Sequence, residues 1–468
     1  MSLRTSILLL LAATIPAVHS YINYANDFVN PNYVVSKNFS ATTIPAQYTI
    51  QQWANASADG GPWSVTSKPY LAPSGDKHDY MSFGPYWWPN CTGVGNTTEL
   101  SQQQIWTTCP YISKDGQFNP DARVVNNIGD FDSMSNAVLY NSLAWSIIGD
   151  SVYSSRVATF IKAWFLDPDT FMNPNLNYAQ MQRGPDGQTG THTGILDLKG
   201  MTKITSGVLA LRAGKAAEWT SDLDGQFVDW LNKYIGWLTT ANIALQEKNA
   251  TNNHGSFYFN QLASLQLLVN DKSGAQTTIE EYFNGIYLGQ IAANGDQPLE
   301  TARTRPYHYR AYNLAAMITN ARLGEYVGII AWNKTTTAGT TIQSACDYAM
   351  TLPAGSEDPT ELYPDIAAVA SQYGDPNNKY RDFLVNATQS GYVADASFFW
   401  DQPFSDNGFA AALTKNDTIV SSGGGSSPST GGTQGKSTSG VDPRSWRAWG
   451  MLYSACGIVM VASLFEFL

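Results

Sequence analysis

The chain has 468 residues, with 27 Lys and Arg against 38 Asp and Glu and a formal net charge of −11. That balance excludes a nucleic-acid binder, which needs a basic footprint. It also works against any acidic ligand, unless a local basic cleft overcomes the global field.

Residues 1–20, MSLRTSILLLLAATIPAVHS, carry one basic residue, an apolar run and small side chains at Val18 and Ser20. This is the pattern of a secretory signal peptide, so the mature chain is expected to start near Tyr21. Residues 21–420 contain no linker-like composition and read as one domain. Its periodicity is helical: Tyr153, Val157, Phe160, Ile161 and Trp164 form one stripe, and Phe227, Trp230, Leu231, Tyr234, Ile235 and Leu238 another. Similar amphipathic stretches cover about 133–148, 203–217, 257–270, 311–323 and 361–372, whereas strand-like alternation is scarce. Long Gly/Pro/Asn-rich connections such as 172–194 suggest helical hairpins whose loops gather at one end. The expected fold is all-α, an incomplete (α/α)-toroid with a loop-lined groove.

Cys91 and Cys109 lie close in sequence and are the expected disulfide of an oxidising compartment, leaving Cys346 as a buried thiol. Sequons at Asn38, Asn55, Asn90, Asn96, Asn249, Asn333, Asn386 and Asn416 fit a secreted glycoprotein. Residues 421–440 are rich in Ser, Gly, Thr and Pro and read as a flexible stalk. Residues 441–468 end in an apolar stretch, Met451 to Leu468, with no basic flank after it. A transmembrane helix needs roughly 20 apolar residues. With small residues at Ser437 to Gly440 and a polar spacer, the tail reads instead as a GPI-anchor signal that is removed. The expected product is a monomer at the cell surface or wall.

Four stretches concentrate aromatic, Asn, His and Arg residues: 78–90, 172–200, 252–261 and 298–314. His78, His192, His254 and His308 all fall within them. Tyr80, Trp87 and Trp88 sit among Gly84, Pro85 and Pro89, which disfavour a helix; loop-borne rings suit stacking on sugar faces, the alternative being core packing. Asn253 could simply cap the helix that follows. The cluster Arg303, Arg305, Tyr307, His308, Tyr309, Arg310 and Tyr312 could be a solvated helix start, but its density favours an anion site.

These stretches resemble the alginate-lyase-like superfamily of polysaccharide lyases, which includes alginate and glucuronan lyases with (α/α)-toroid folds. AWFLDPDTFMNPNLNYAQ (163–180) is similar to the family's most recognisable segment, NNHG (252–255) to its Asn-His pair, ETARTRPYHYRAYNL (300–314) to the segment with its Arg and Tyr, and KHDYMSFGPYWWPN (77–90) to an aromatic loop that closes over substrate. The resemblance implies Asn253, His254, Arg303 and Tyr309 as catalytic residues. It makes Tyr80, Trp87, Trp88, Asn177, Tyr178, His192, Arg305 and Tyr307 candidates for binding a uronic-acid polysaccharide. Tyr307 and Tyr312 compete with Tyr309 for the catalytic place.

Breaking a 4-linked uronide by elimination means removing the proton at C5, which is barely acidic while the neighbouring carboxylate is charged. Arg303 and Asn253 are expected to neutralise that carboxylate. If H5 and O4 share a face, Tyr309 can act as base and then acid; if they lie on opposite faces, His254 is the base and Tyr309 the acid. A phenol with an ordinary pKa near 10 needs a cation or imidazole beside it for this work. The chemistry requires neither metal nor cofactor. Two other readings stay in view: an inactive uronate-binding wall protein, and an (α/α)-barrel glycoside hydrolase with a carboxylate pair such as Asp130 and Asp132.

Overall fold

A computed structural model describes residues 28–400 except 97–98, 376 and 390. The leader, Asn416, the stalk, Cys456 and the anchor signal lie outside the described residues. Among those described, no helix is long and apolar enough to cross a membrane.

The helices in chain order are α1 (Pro31–Ser36), α2 (Ile44–Gly60), α3 (Gln102–Thr108), α4 (Asn127–Ile148), α5 (Ser151–Ile161), α6 (Met201–Gly214), α7 (Ser221–Leu238), α8 (Asn242–Lys248), α9 (Asn253–Leu268), α10 (Lys272–Asn284), α11 (Pro298–Thr301), α12 (Pro306–Val327), α13 (Ile342–Ala349), α14 (Tyr363–Tyr373) and α15 (Lys379–Thr388). Local chemistry sets several boundaries. Gly149 ends α4 in the left-handed conformation, Asp150 caps α5 by accepting from the Val152 amide, and Pro306 opens α12 where its missing N–H costs nothing.

Helices α4, α6, α9, α12 and α14 pack one on the next as an inner file, and α9 and α12 are buried on nearly every face. Helices α5, α7, α10 and α13 back them from outside. The result is the all-α, incomplete toroid that the periodicity predicts. The α7 stripe buries Phe227, Trp230, Leu231, Tyr234 and Leu238. At roughly 1.5–3 kcal/mol per fully buried large side chain, such a face outweighs the modest helix propensity of its aromatic residues.

Two small sheets interrupt the helical pattern. Strand β1 (Met81–Phe83) pairs in parallel with β4 (Tyr178–Met181), and β2 (Trp87–Pro89) pairs antiparallel with β3 (Tyr111–Ser113). Trp87 and Trp88 therefore belong to a strand and not to a free loop. Asp197, fully buried, ties β1 to β4: its carboxylate accepts from Tyr80 Oη at 3.1 Å, from Ser82 Oγ and from Gln180 Nε2 at 2.8 Å. Burial pushes the Asp197 pKa up to about 6 against those three donors. Tyr80, at 1 % exposure, is thus a core residue and cannot stack on a sugar.

The Cys91–Cys109 disulfide closes the loop between β2 and β3, with the Cα atoms 4.8 Å apart, and Cys346 is a buried free thiol. Because the bridge removes disorder from the unfolded loop, replacing both cysteines by serine is expected to cost about 2–4 kcal/mol. Thermal unfolding with and without reductant checks this: the wild type should fall to the variant's midpoint on reduction, and the variant should not respond.

Candidate active site

The site forms where short elements at one end of the toroid meet. The turn 249–252 joins α8 to α9 and places Glu247 and His254 one after the other. Gly255 makes that turn possible, since a Cβ there would lie 2.0 Å from the Ala250 carbonyl oxygen. His254 Nδ1 donates to Glu247 Oε1 at 2.6 Å. From a 3-10 turn spanning His192–Leu198, His192 Nδ1 donates to the other oxygen, Oε2, also at 2.6 Å. Burial alone would raise the Glu247 pKa, but the His254 charge and the two imidazole hydrogen bonds hold it below the usual carboxylate range. The hydrogen bond to Glu247 in turn raises the His192 pKa against partial burial.

An ionised carboxylate accepting at Nδ1 fixes both tautomers and leaves each Nε2 for other work. Among the described residues neither Nε2 has a hydrogen-bond partner. His192, Glu247 and His254 also offer three donor atoms within 4.8 Å of one another, the set here that could hold a metal ion. Each imidazole already satisfies its own carboxylate oxygen, so the cluster closes electrostatically through hydrogen bonds.

Asn253, at 1 % exposure, is clamped by the buried Glu300 of α11: its backbone N–H reaches Oε1 at 2.7 Å and its Nδ2 reaches Oε2 at 2.6 Å. Asn253 Oδ1 is buried without a partner. Burial raises the Glu300 pKa, outweighing both Asn253 bonds and the charges of His254 and Arg303. Arg303, just after α11, donates from Nη2 to Tyr309 Oη at 2.9 Å and to Asp115 Oδ1 at 2.7 Å; its guanidinium lies 4.0 Å from the Tyr309 ring centre. Asp115 sits on the turn after β3 and also accepts from Thr304 N and Oγ1. That turn approaches so closely that a Cβ on Gly116 (φ +71) would fall 2.3 Å from Thr304 Oγ1. The Arg303 hydrogen bond holds Asp115 below its ordinary pKa. Tyr309 Oη also lies 3.4 Å from Tyr86 Oη. Burial, and then Tyr86, push the Tyr309 pKa far up; Arg303 offsets this only in part, so the phenol is a proton donor at neutral pH.

Asn253, His254, Arg303 and Tyr309 thus belong to one cluster, joined through Glu300 and flanked by His192. Other candidates go elsewhere. Tyr307 is 7 % exposed with its hydroxyl on the Pro359 carbonyl at 3.2 Å, which removes it both as a ligand for sugar and as a rival to Tyr309. Tyr312 packs on Phe257 and His308. Arg305 faces Glu361 at 3.7 Å, and Arg310 pairs with Asp296 at 2.9 Å, so the expected uncompensated basic cleft is absent from these arginines. His308 donates to Glu361 and His78 engages the Phe171 carbonyl, so two of the four described histidines are structural. Asn177 is exposed and accepts from Trp237 Nε1 at 3.0 Å, while Tyr178 packs against the small core beneath β4. Trp87 packs there too; Trp88 is half-exposed, with Lys114 Nζ 5.1 Å from its ring centre. Asp132 lies 3.9 Å from Lys199, and Asp130 is held up by burial.

Sequence reasoning missed Glu247, Glu300 and Asp115 as members of the site; Tyr86 belongs to the aromatic stretch 78–90 that it did single out. An isolated Glu in a short helix such as Asn242–Lys248 looks solvated, and no local pattern announces that both its oxygens serve histidines. Three carboxylates stand at the centre, each engaged by a base or an amide. Replacing Gly255 by Ala is expected to destabilise the fold by about 1–3 kcal/mol through overpacking and to loosen His254 from Glu247. Thermal unfolding and the downfield imidazole N–H resonances check this; both signals unchanged would contradict the close approach.

The family model for alginate lyase matches residues 64–361. Among solved structures, the fold is similar to an alginate lyase from Bacteroides ovatus, with a TM-score of 0.69 at 27% identity over 82% of this chain and 99% of that one. Alginate lyase A1-III from a Sphingomonas species aligns at 14% identity over 59% of this chain and 79% of that one, with a TM-score of 0.41, too distant to carry weight. A search of curated protein sequences finds no match. The family model covers well over half of the chain and the shared toroid agrees with it: this protein belongs to the alginate lyase family and is a polysaccharide lyase.

Proposed function

We propose that the protein cleaves 4-linked uronic-acid polymers, alginate or glucuronan, by metal-independent β-elimination, with His254 taking H5 and Tyr309 protonating O4 where the two lie on opposite faces, and Tyr309 doing both where they share a face. The observation that carries this reading is a pair of proton-transfer groups in one cluster. His254 spends Nδ1 on Glu247 and leaves Nε2 without a partner among the described residues, while Tyr309 is a buried, protonated phenol against Arg303. The relative from Bacteroides ovatus, an alginate lyase, supports a uronate polymer as the substrate. A glycoside hydrolase would need a free acid and base pair, whereas Glu247 and Glu300 are both committed to site residues. An inactive binding protein is disfavoured by the retention of all four residues in one cluster.

The geometry divides the substrates by stereochemistry. In guluronate H5 and O4 lie on opposite faces, which suits a separate base and acid. In mannuronate and glucuronate, which differ from each other at C2, they lie on the same face, so Tyr309 must lose its proton before it acts as base. Polyguluronate is therefore expected to be cut faster than polymannuronate or glucuronan. The ultraviolet absorbance of the unsaturated uronide product measures this, with a chelator leaving all rates unchanged. Tyr309→Phe should lower kcat at least about 100-fold with binding retained; near-normal turnover, or reducing ends without the chromophore, would sink the reading.

Charge neutralisation falls first to Asn253, since Arg303 is already shared by Asp115 and Tyr309. As the amide stands, Nδ2 faces Glu300 and Oδ1 is unpartnered. Turning the amide over presents N–H to the uronate, and a protonated Glu300 then donates to Oδ1. The upward shift of Glu300 makes that neutral form accessible. Activity is thus lost as pH rises through the Glu300 pKa. Glu300→Gln, which keeps a donor, is expected to stay within about tenfold of wild type and to lose that alkaline limb, while Glu300→Ala should lose 100-fold or more, roughly the worth of an oxyanion donor. Equal losses in both variants would contradict the donor role.

The protein is further proposed to act outside the cell, anchored by GPI. The leader and tail patterns support this, as do a disulfide and the exposure of every described sequon asparagine, from Asn38 through Asn90 and Asn249 to Asn386.

A further inference from the structure

Beneath the β2–β3 sheet, Arg183 is 2 % exposed and its Nε, Nη1 and Nη2 atoms are all buried without a hydrogen-bond partner among the described residues. Three rings enclose the guanidinium: Phe83 at 4.2 Å, Tyr111 at 4.5 Å and Trp106 at 5.7 Å between its central carbon and their centres. Two of those rings bring further orphaned polar atoms, since Trp106 Nε1 and Tyr111 Oη are also buried and unpartnered. The guanidinium has five N–H groups, the indole one and the phenol one, so this pocket concentrates hydrogen-bond donors around a full positive charge.

We propose that Arg183, Trp106 and Tyr111 form a binding site for a small monovalent anion. Ring faces stabilise a guanidinium stacked on them, but they do not take the N–H groups, which point outward in its plane. A buried charge left without a counter-charge or hydrogen bonds is strongly unfavourable. Asp121 reaches Arg183 and Tyr111 only through its field, its Oδ1 accepting from Gln102 at 3.2 Å. A water molecule would serve some donors but leave the charge uncompensated. A halide or a carboxylate oxygen serves both needs.

The surroundings favour a built site over a packing accident. Gly184, beside Arg183 and at φ +132, donates to the Trp106 carbonyl at 2.8 Å, and Gln188 Nε2 closes the turn onto Gly184 O at 2.9 Å. The Cys91–Cys109 bridge secures the far end of α3. Phe83 and Trp106 also line an open groove of about 620 Å³ whose rim carries Ser101, Gln104 and Gln188. The anion has two sources, a free halide or the carboxylate of a saccharide. None of the three donor residues hydrogen-bonds to the catalytic group, so the site stands whether or not the proposed substrate is right.

The test follows thermal unfolding of the intact protein at constant ionic strength while a bulky morpholine sulfonate is replaced by chloride, by bromide or by monomeric glucuronate. The expected result is a saturable rise in Tm of a few degrees, lost in Arg183→Met, whose unbranched side chain fills similar space. A shift with halide alone names a free ion; a shift with glucuronate alone names a saccharide carboxylate. Should the variant fail to fold, bromide-soaked wild-type crystals supply an independent readout, an anomalous peak within hydrogen-bond distance of Arg183. No anion dependence in the wild type, or the same dependence in the variant, or an Arg183 that pairs with a protein carboxylate in those crystals, overturns the proposal.

Discussion

Much of the catalytic end of this molecule is arranged around one buried carboxylate. Glu247 is fully removed from solvent and remains ionised because each of its oxygens receives an imidazole N–H at 2.6 Å. Taking away one partner would strand a buried charge, which is among the costliest defects a fold can carry. The requirement therefore reaches outward. It pins the 3-10 turn carrying His192 to α8, and it obliges the chain between α8 and α9 to turn so tightly that position 255 has no room for a side chain. It also fixes which nitrogen of His254 is left clear of the carboxylate.

A second carboxylate does comparable work on the opposite arm. Asp115, carried by the turn after β3, grips Arg303 and Thr304 and so joins the small aromatic sheet to the start of α12. This contact changes the part Arg303 plays. A guanidinium already shared between a carboxylate and a phenol is better placed to govern the Tyr309 hydroxyl than to neutralise a substrate by itself. The acidic balance of the protein then becomes easier to understand. Arg303, Arg305 and Arg310 all face acids, so none of them adds an unpaired positive charge, and Lys114 lies instead over the half-exposed Trp88.

The contrast between Tyr80 and Tyr309 explains where reading the chain succeeds and where it stops. Both tyrosines lie in segments dense with aromatic and polar residues, and both are almost wholly buried. Tyr80 donates to Asp197 deep under the β1–β4 pair, whereas Tyr309 meets Arg303 at the cluster of site residues. Tyr309 has its deciding partner six residues before it, whereas the partner that buries Tyr80 lies 117 residues away, where no short stretch of chain contains it. His308 and His254 repeat the lesson, since each sits in a first helical turn and bonds a glutamate, yet only one of those glutamates is shared with a second histidine.

By itself the sequence determined the helical period, the positions of Asn253, His254, Arg303 and Tyr309, the Cys91–Cys109 pairing and the family. These rest on local repetition or on motifs a few residues long, which survive being read in one dimension. Tertiary structure alone decided that Glu247, Glu300 and Asp115 complete the site, that Tyr80 and Tyr307 belong to the core, and that the arginines are neutralised in place. It also decided that Arg183 is shut among rings without an acceptor. The reason is physical: protonation state and hydrogen-bond role follow from burial and from the partner across the contact, and burial is a property of the folded surface that no short stretch of chain contains.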